Sequence, residues 1–151
     1  MRALTLTQPW AGLVAFGIKL VENRPRRMIK ASDFGKPFAI HASREIDDDV
    51  YARITGLAPE LDPDADQPWM ALTRITSAVI AVATLDRTIA SAMEATMLGA
   101  DQARWFFGPI GYVLRDVVLL PESVPCRGWQ GFWCVPEDVE AKVRAQLARA
   151  A

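Results

Sequence analysis

The segment from Ile75 to Asp86 limits the fold more than any other part of the chain. It is rich in Val, Ile and Thr and nearly uncharged, and its most apolar part, Ala78 to Ala83, has the length of a strand rather than of a membrane span. Residues of this kind favour strands because they pack well on a pleated, half-buried surface. The segment therefore predicts the core strand of a sheet.

Shorter elements are predicted on both sides of this strand. We predict strands over 3–7, 18–24, 37–42 and 112–120, a turn and hairpin over 121–133, and a loop over 58–68. Helices are predicted from Pro9 to Gly17 (N-cap Thr7 or Gln8), over 44–56 (N-cap Ser43), from a Ser91 capping box to Gly99, and over about 136–150. Five or six strands with short helices outside indicate an α+β fold, and a small, partly open mixed barrel is one such arrangement.

Size and composition are those of one soluble domain. With 151 residues and 51% hydrophobic residues, the chain can bury a core of its own, so we expect a single domain over 1–151. No apolar run is long enough to span a bilayer, and the first residues lack the pattern of a signal peptide. The two cysteines, Cys126 and Cys134, lie eight apart with no framework of pairs, which favours a reducing, cytoplasmic location.

The sequence contains few residues that could bind a metal ion. His41 is the single histidine and lies in an apolar strand pattern, so a zinc site of the usual type is not predicted. The eighteen acidic residues leave a magnesium or manganese site open, although nothing in their spacing marks one. We predict no cofactor.

The positive charge is concentrated at the beginning of the chain. Residues 1–44 carry eight basic and two acidic side chains, a net +6, so the remainder carries −7 to give the total of −1. A nearly neutral protein with one basic sector can attract a polyanion to a defined place. A solvated surface with uneven charge is the alternative that charge alone leaves open.

The segment from Gly17 to Arg24 carries three charged groups in six positions. Glu22 and Arg24 share one face of a strand, whereas Lys19 would point away from them in an ideal strand. Lys19 can join them only if it lies in the turn that leaves the preceding helix, and Gly17 permits such a turn. The three groups would then converge on a phosphate or a base edge. A salt-bridge ladder on an exposed strand is the alternative.

This pattern resembles the signature of a known family. Gly17-x-Lys19-x-x-Glu22-x-Arg24, after a helix opened by Gln8-Pro9-Trp10, is similar to the signature of ASCH (activating signal cointegrator homology) domains. Further similar stretches are 4–11, 40–43 and 108–112, so the resemblance covers about residues 2–135. It implies a PUA-like mixed β-barrel with short helices packed outside, from a superfamily of RNA-binding barrels.

The function that this resemblance implies is RNA or nucleotide binding, and two alternatives stay open. One bacterial branch of the family hydrolyses N4-acetylcytidine with a lysine base, a threonine three positions later and a glutamate from another strand. Lys19 matches that lysine, but Glu22 stands in place of the threonine nucleophile, and Asp86 is a candidate second carboxylate. A hydrolase, either a ribonuclease or a nucleoside amidohydrolase using Lys19 and Glu22, is therefore one alternative. A protein-binding adaptor that uses the C-terminal helix is the other.

The expected ligand cleft is built on Lys19, Glu22 and Arg24. Supporting contacts to RNA, a nucleotide or a nucleoside are expected from the following side chains: Thr7, Gln8, Trp10, Arg26, Arg27, Lys30, Ser43, Arg44 and Tyr112. Trp10 and Trp105 are the expected aromatic residues near the cleft, although tryptophans are more often core residues. Helix capping is as good an explanation for Thr7 and Ser43 as ligand binding is. For Tyr112, packing inside the barrel is an equally good explanation.

Overall fold

The computed structural model describes residues 1–62 and 66–150, which form a mixed sheet with helices on both of its faces. The strands are β1 Arg2–Gln8, β2 Val21–Arg24, β3 Pro37–Ile46, β4 Ala78–Ile89, β5 Ile110–Pro125 and β6 Phe132–Cys134. The helices are α1 Trp10–Ala15, α2 Val50–Leu57, α3 Ala92–Thr96, α4 Ala100–Ala103 and α5 Glu137–Ala150. No helix among the described residues is long and apolar enough to cross a membrane.

The strand order is β2-β5-β4-β3-β1-β6, with β2 and β6 at the two edges. β1 runs parallel to β3, and every other pair is antiparallel. The predicted α+β class is confirmed, but the predicted barrel is wrong because the sheet does not close. The two edge strands are only four and three residues long, and no described pairing joins them.

The sheet is built on β4, as the sequence predicts. Every residue from Ala78 to Leu85 is buried, because β4 has a helix on each face. Ile80 packs into the core that contains α1, whereas Val79 and Val82 pack into the core that contains α5. A strand covered on both sides needs apolar residues in consecutive positions rather than in alternation, which explains its composition.

The turn after α1 determines where β2 begins. Gly17 has φ +79°, the left-handed conformation predicted for it, and its N–H donates to Val14 O at 2.9 Å. Ile18 N donates to Leu13 O at 3.0 Å, which completes the Schellman arrangement of a glycine-terminated helix. The chain therefore leaves α1 in a tight turn, and Lys19 lies in this turn before β2 starts at Val21.

Three predicted boundaries near the first strands are wrong. Thr7 and Gln8 belong to β1, and Pro9 rather than either of them precedes α1 as its N-cap. Ser43 does not cap a helix over 44–56, because β3 continues to Ile46, which is in register with Gln8. The helix that follows is shorter and starts at Val50.

Other expectations agree with the structure only in part. Ser91 is the N-cap of α3, as predicted, since its hydroxyl accepts from Glu94 N at 3.2 Å. Residues 121–125 extend β5 instead of opening a hairpin, and β6 pairs with β1. Of the predicted loop over 58–68, residues 59–61 form a 3-10 turn, and residues 63–65 lie outside the described residues.

Replacing Gly17 with Ala should destabilise the protein by about 1–2 kcal/mol, because a Cβ disfavours the left-handed conformation. The space around Gly17 is open, so the cost is conformational and not steric. Gly56, inside α2, also has open space but ordinary helical backbone, so Gly56→Ala should be neutral or stabilising by about 0.5–1 kcal/mol. Urea unfolding of both variants measures the difference. Equal effects would contradict the assignment of the turn.

Candidate functional site

Lys19 and Glu22 form a buried ion pair at the start of β2. Lys19 Nζ donates to Glu22 Oε2 at 2.7 Å, and the two side chains are 2% and 11% exposed. The turn at Gly17 thus brings Lys19 back to Glu22, as the sequence allows. The pair is not a ladder on an exposed strand, since both residues are buried.

The surroundings of Lys19 are apolar and aromatic. Its ammonium lies 5.4 Å from the ring centroid of Trp10, which packs edge-on against Trp105 at 6.3 Å. Burial lowers the pKa of Lys19 below its ordinary value of 10.5, and the neighbouring Glu22 carboxylate only partly offsets this. The ion pair is therefore costly to desolvate, and the surrounding structure must hold it in place.

Two polar side chains, Gln102 of α4 and Asn23 of β2, fix the segment that carries the pair. Gln102 accepts from Leu20 N at 2.8 Å and donates to Ile18 O at 3.1 Å. Asn23 donates to Trp105 O and accepts from Phe107 N, both at 2.8 Å. Four hydrogen bonds thus attach the charged segment to residues 102–107, so its side chains have little freedom to reorient.

Arg24 connects this buried pair to an open cleft. Its guanidinium lies 3.4 Å from Glu22 Oε1 and donates to Thr5 O at 2.9 Å, while its Nε is buried without a partner. Arg24 is also part of the wall of a cleft of about 1220 Å³. The three charged residues carry a net +1, which Arg24 presents at the cleft surface.

The walls of this cleft are strongly basic. Four arginines line it, against one carboxylate from Glu45; they are Arg24, Arg26, Arg44 and Arg127. They come from the end of β2, the loop that follows it, β3 and the loop between β5 and β6. Convergence of guanidinium groups from four parts of the chain is an arrangement suited to phosphate groups.

An exposed tryptophan lies in the same cleft. Trp129 is 52% exposed, and the guanidinium of Arg127 lies 4.4 Å from its ring centroid. Tryptophan is enriched at binding surfaces, where a partner can bury its large ring. The cleft therefore combines cationic groups with a stacking surface.

The structure distributes the sequence-predicted residues among different places. Arg24, Arg26, Ser43 and Arg44 line the cleft, whereas Lys19 and Glu22 lie buried behind Arg24. Arg27 and Lys30 are exposed on the loop after β2 but do not line the cleft, and Arg27 lies 5.5 Å from the ring of Phe34.

Four other predicted residues have structural partners or lie elsewhere. The Gln8 amide is fully buried and donates to Leu72 O and Ile75 O, while its oxygen accepts from Gly12 N. The Tyr112 hydroxyl is buried and accepts from Met28 N. Trp10 packs against Trp105 and Phe107. Thr7 lines a separate groove of about 530 Å³ with Glu45 and Asp47 to Asp49, whose negative charge disfavours an anion.

Several cleft residues were not predicted from the sequence. Thr5, His41, Arg127 and Trp129 all line the cleft, and the last two follow β5, far along the chain from Arg24. The available signal was the aromatic, glycine-containing segment over 121–133, which indicated a turn but not its position. Among residues 1–62 and 66–150, no cluster of His, Cys, Asp and Glu could hold a metal ion.

Comparison with known proteins supports the fold. The ASCH protein of Zymomonas mobilis has a similar structure, with a TM-score of 0.58 and 16% identity over 95% of this chain and 93% of that one. Crystal structures of a serine-to-alanine and a tyrosine-to-phenylalanine variant of that protein match with TM-scores of 0.57 and 16% identity, over 95% of this chain and 94% and 96% of theirs. No family model and no curated protein sequence matches the chain. The chain thus has the ASCH-domain fold that its sequence predicts.

Replacing Glu22 with Gln should destabilise the protein by about 3 kcal/mol near pH 7, because the Lys19 ammonium loses its carboxylate partner while still buried. This loss of stability should become smaller as the pH rises. The folded-state pKa of Lys19 lies below 10.5, so the cost of burying the charge is present at lower pH and disappears as the amine deprotonates.

Unfolding by urea at pH 7 and at pH 9.5 measures both effects. The exposed Glu45 serves as the control, and Glu45→Gln should change stability little at either pH. If Glu22→Gln lowered the free energy of unfolding no more than Glu45→Gln does, Lys19 and Glu22 would not form a buried ion pair.

Proposed function

We propose that this protein binds RNA or a nucleotide in the cleft beside Arg24. The observation that carries the proposal is the convergence of four arginines, against one glutamate, around a cleft of about 1220 Å³. A chain whose net charge is only −1 gains no general attraction for polyanions, so the attraction comes from the local concentration of guanidinium groups.

In this proposal Lys19 and Glu22 act without touching the ligand. Lys19 is 1% exposed, so its ammonium lies out of reach of a large polyanion. Glu22 lies between Lys19 and Arg24, at 2.7 Å from one and 3.4 Å from the other. The pair therefore orients the Arg24 guanidinium towards the cleft, and a prepositioned arginine loses little side-chain entropy when it meets a phosphate.

Two further observations support a nucleic-acid ligand. Trp129 offers an exposed aromatic surface among the arginines, and proteins that bind single strands combine these two features. The resemblance of residues 17–24 to the ASCH signature also implies RNA binding, and the ASCH fold of the chain agrees with that resemblance.

A hydrolase that uses Lys19 and Glu22 is the second candidate, favoured by the lowered pKa of Lys19. Only the neutral amine can accept a proton from water, and a lowered pKa increases the fraction of Lys19 in that form near pH 7. The burial of Lys19 counts against this candidate, because neither a phosphodiester nor an acylated base can reach Nζ without movement of the surrounding residues.

Binding should weaken when any of three exposed cleft arginines is removed. We expect Arg26→Ala, Arg44→Ala and Arg127→Ala each to reduce affinity for a labelled single-stranded RNA. Each should also reduce the slope of log affinity against log salt concentration by about 0.7. The measurement is fluorescence anisotropy at several salt concentrations.

The matched control is Arg149→Ala, which removes an exposed arginine from α5, outside the cleft. Its affinity and salt slope should equal those of the unmodified protein. If all four variants lost affinity equally, the attraction would be unspecific and the cleft would not be the binding site.

The hydrolase candidate predicts turnover that depends on Lys19. Purified protein is given labelled RNA and a panel of acylated nucleosides, with and without divalent metal ions, and products are separated by chromatography. Lys19→Met should abolish turnover, whereas Arg149→Ala should retain it. If no substrate is converted under any of these conditions, the hydrolase candidate is wrong and binding remains.

A further inference from the structure

A second groove lies at the start of β1, and three cationic side chains line it. Its volume is about 280 Å³, and the cations are Arg2 of β1, Lys36 just before β3 and Arg144 of α5. The one carboxylate in its walls, from Asp33, is buried and accepts a hydrogen bond from Lys30 N at 2.7 Å. None of the three cations lines the cleft, so this second groove is a separate basic surface.

Two of these cations have no carboxylate partner. Arg2 donates to Phe132 O, and its guanidinium lies 4.8 Å from the ring centroid of the same residue, which fixes its position. Lys36 is exposed, and among the described residues neither it nor Arg2 forms an ion pair. Arg144 is paired, with Glu140 at 2.6 Å. Cations without a partner favour an anionic ligand, because phosphate oxygens supply the acceptors that these donors lack.

The second groove adjoins the cleft at the beginning of β6. Gly131 lines the cleft, and the next residue, Phe132, lines the second groove. On β1, Thr5 lies in the cleft and Arg2 in the second groove, and three residues of a strand span about 10 Å. Each nucleotide of a helical strand advances by about 3.4 Å, so a strand of a few nucleotides can reach both grooves.

The loop between β2 and β3 runs from one groove to the other. Arg26 lines the cleft, and Lys36 lines the second groove. Between them along the chain are Arg27 and Lys30, which are exposed and form no ion pair with any described residue. The sequence predicts ligand contacts from both, and the cleft alone does not provide them. A strand that passes from the cleft to the second groove offers them phosphate groups.

The opposite end of the cleft is acidic. Thr7 lies further along β1 than Thr5, in the groove of about 530 Å³ that also contains Glu45 and the run Asp47 to Asp49. Glu45 belongs both to this groove and to the cleft. Carboxylates at this end repel phosphate groups, whereas the second groove at the other end attracts them. The order of charge along β1 therefore gives a bound strand one favourable direction.

We infer that the cleft and the second groove form one binding track for a strand of RNA, which leaves the cleft past Gly131 and places phosphates against Arg2, Lys36 and Arg144. The inference rests on the proposed function and narrows the ligand. A mononucleotide fills the cleft only, so a strand of several nucleotides is needed to reach the second groove.

The first test measures the affinity for a labelled RNA of mixed sequence and about 12 nucleotides, a length within the range of single-strand binding sites. Lys36→Ala should weaken binding roughly 3- to 5-fold at about 0.1–0.15 M salt, which is the effect of losing one phosphate contact. The matched control is Lys142→Ala, which removes an exposed lysine of α5 that lines neither groove. Its affinity should equal that of the unmodified protein.

The second test uses a thiol that lies in the second groove. Cys134 is exposed and lines this groove, so a neutral maleimide can alkylate it. Saturation with the RNA of about 12 nucleotides should slow the alkylation of Cys134, because the bound strand covers the groove. Saturation with a mononucleotide should leave the rate unchanged. Mass spectrometry of the digested protein measures the rate at this residue.

The outcomes separate the two proposals. If the longer RNA bound but left the alkylation of Cys134 unchanged, or if Lys36→Ala weakened binding no more than Lys142→Ala, the track would be wrong and binding by the cleft would stand. If the unmodified protein bound neither the RNA nor the mononucleotide, the proposed function and the track would fall together. Thermal melting of each variant confirms that it is folded before its affinity is compared.

Discussion

The buried ion pair between Lys19 and Glu22 is the interaction on which the site depends. Its Nζ to Oε2 distance is 2.7 Å, and it lies at the junction of α1, β2 and the segment over 102–107. Desolvating two charges costs several kcal/mol, and their attraction repays this only when the geometry is fixed. The hydrogen bonds of Gln102 and Asn23 supply that fixation, and Arg24 carries the resulting charge to the cleft surface.

The part of the site that could be predicted from sequence is the part made by neighbouring residues. Gly17 fixes a left-handed turn, the turn brings Lys19 back to Glu22, and Glu22 and Arg24 share a face of β2. Each step depends on local backbone geometry, which spacing reveals. The central strand was predictable for a similar reason, since a run of consecutive apolar residues indicates a strand covered on both sides.

The rest of the site depends on pairings between distant segments. Arg127 and Trp129 reach the cleft because β6 pairs with β1 and not with β5, and a run of turn residues does not reveal that choice. The helix predicted over 44–56 is wrong for a similar reason. Ser43 as N-cap and the carboxylates after it favour a helix locally, but pairing of β3 with β1 up to Ile46 keeps the chain extended. Sheet pairing overrides local propensity in both places, and it also leaves β2 and β6 apart, so no barrel forms.

The most direct test of this account is to map the RNA-binding surface by NMR. Titration with a short single-stranded RNA should shift the side-chain signals of Arg24, Arg44 and Arg127 and the indole N–H of Trp129, which line one cleft. The signals of α3, none of whose residues lines the cleft, should stay unchanged. Shifts confined to α3, or spread evenly over the surface, would contradict the assignment of this cleft as the binding site.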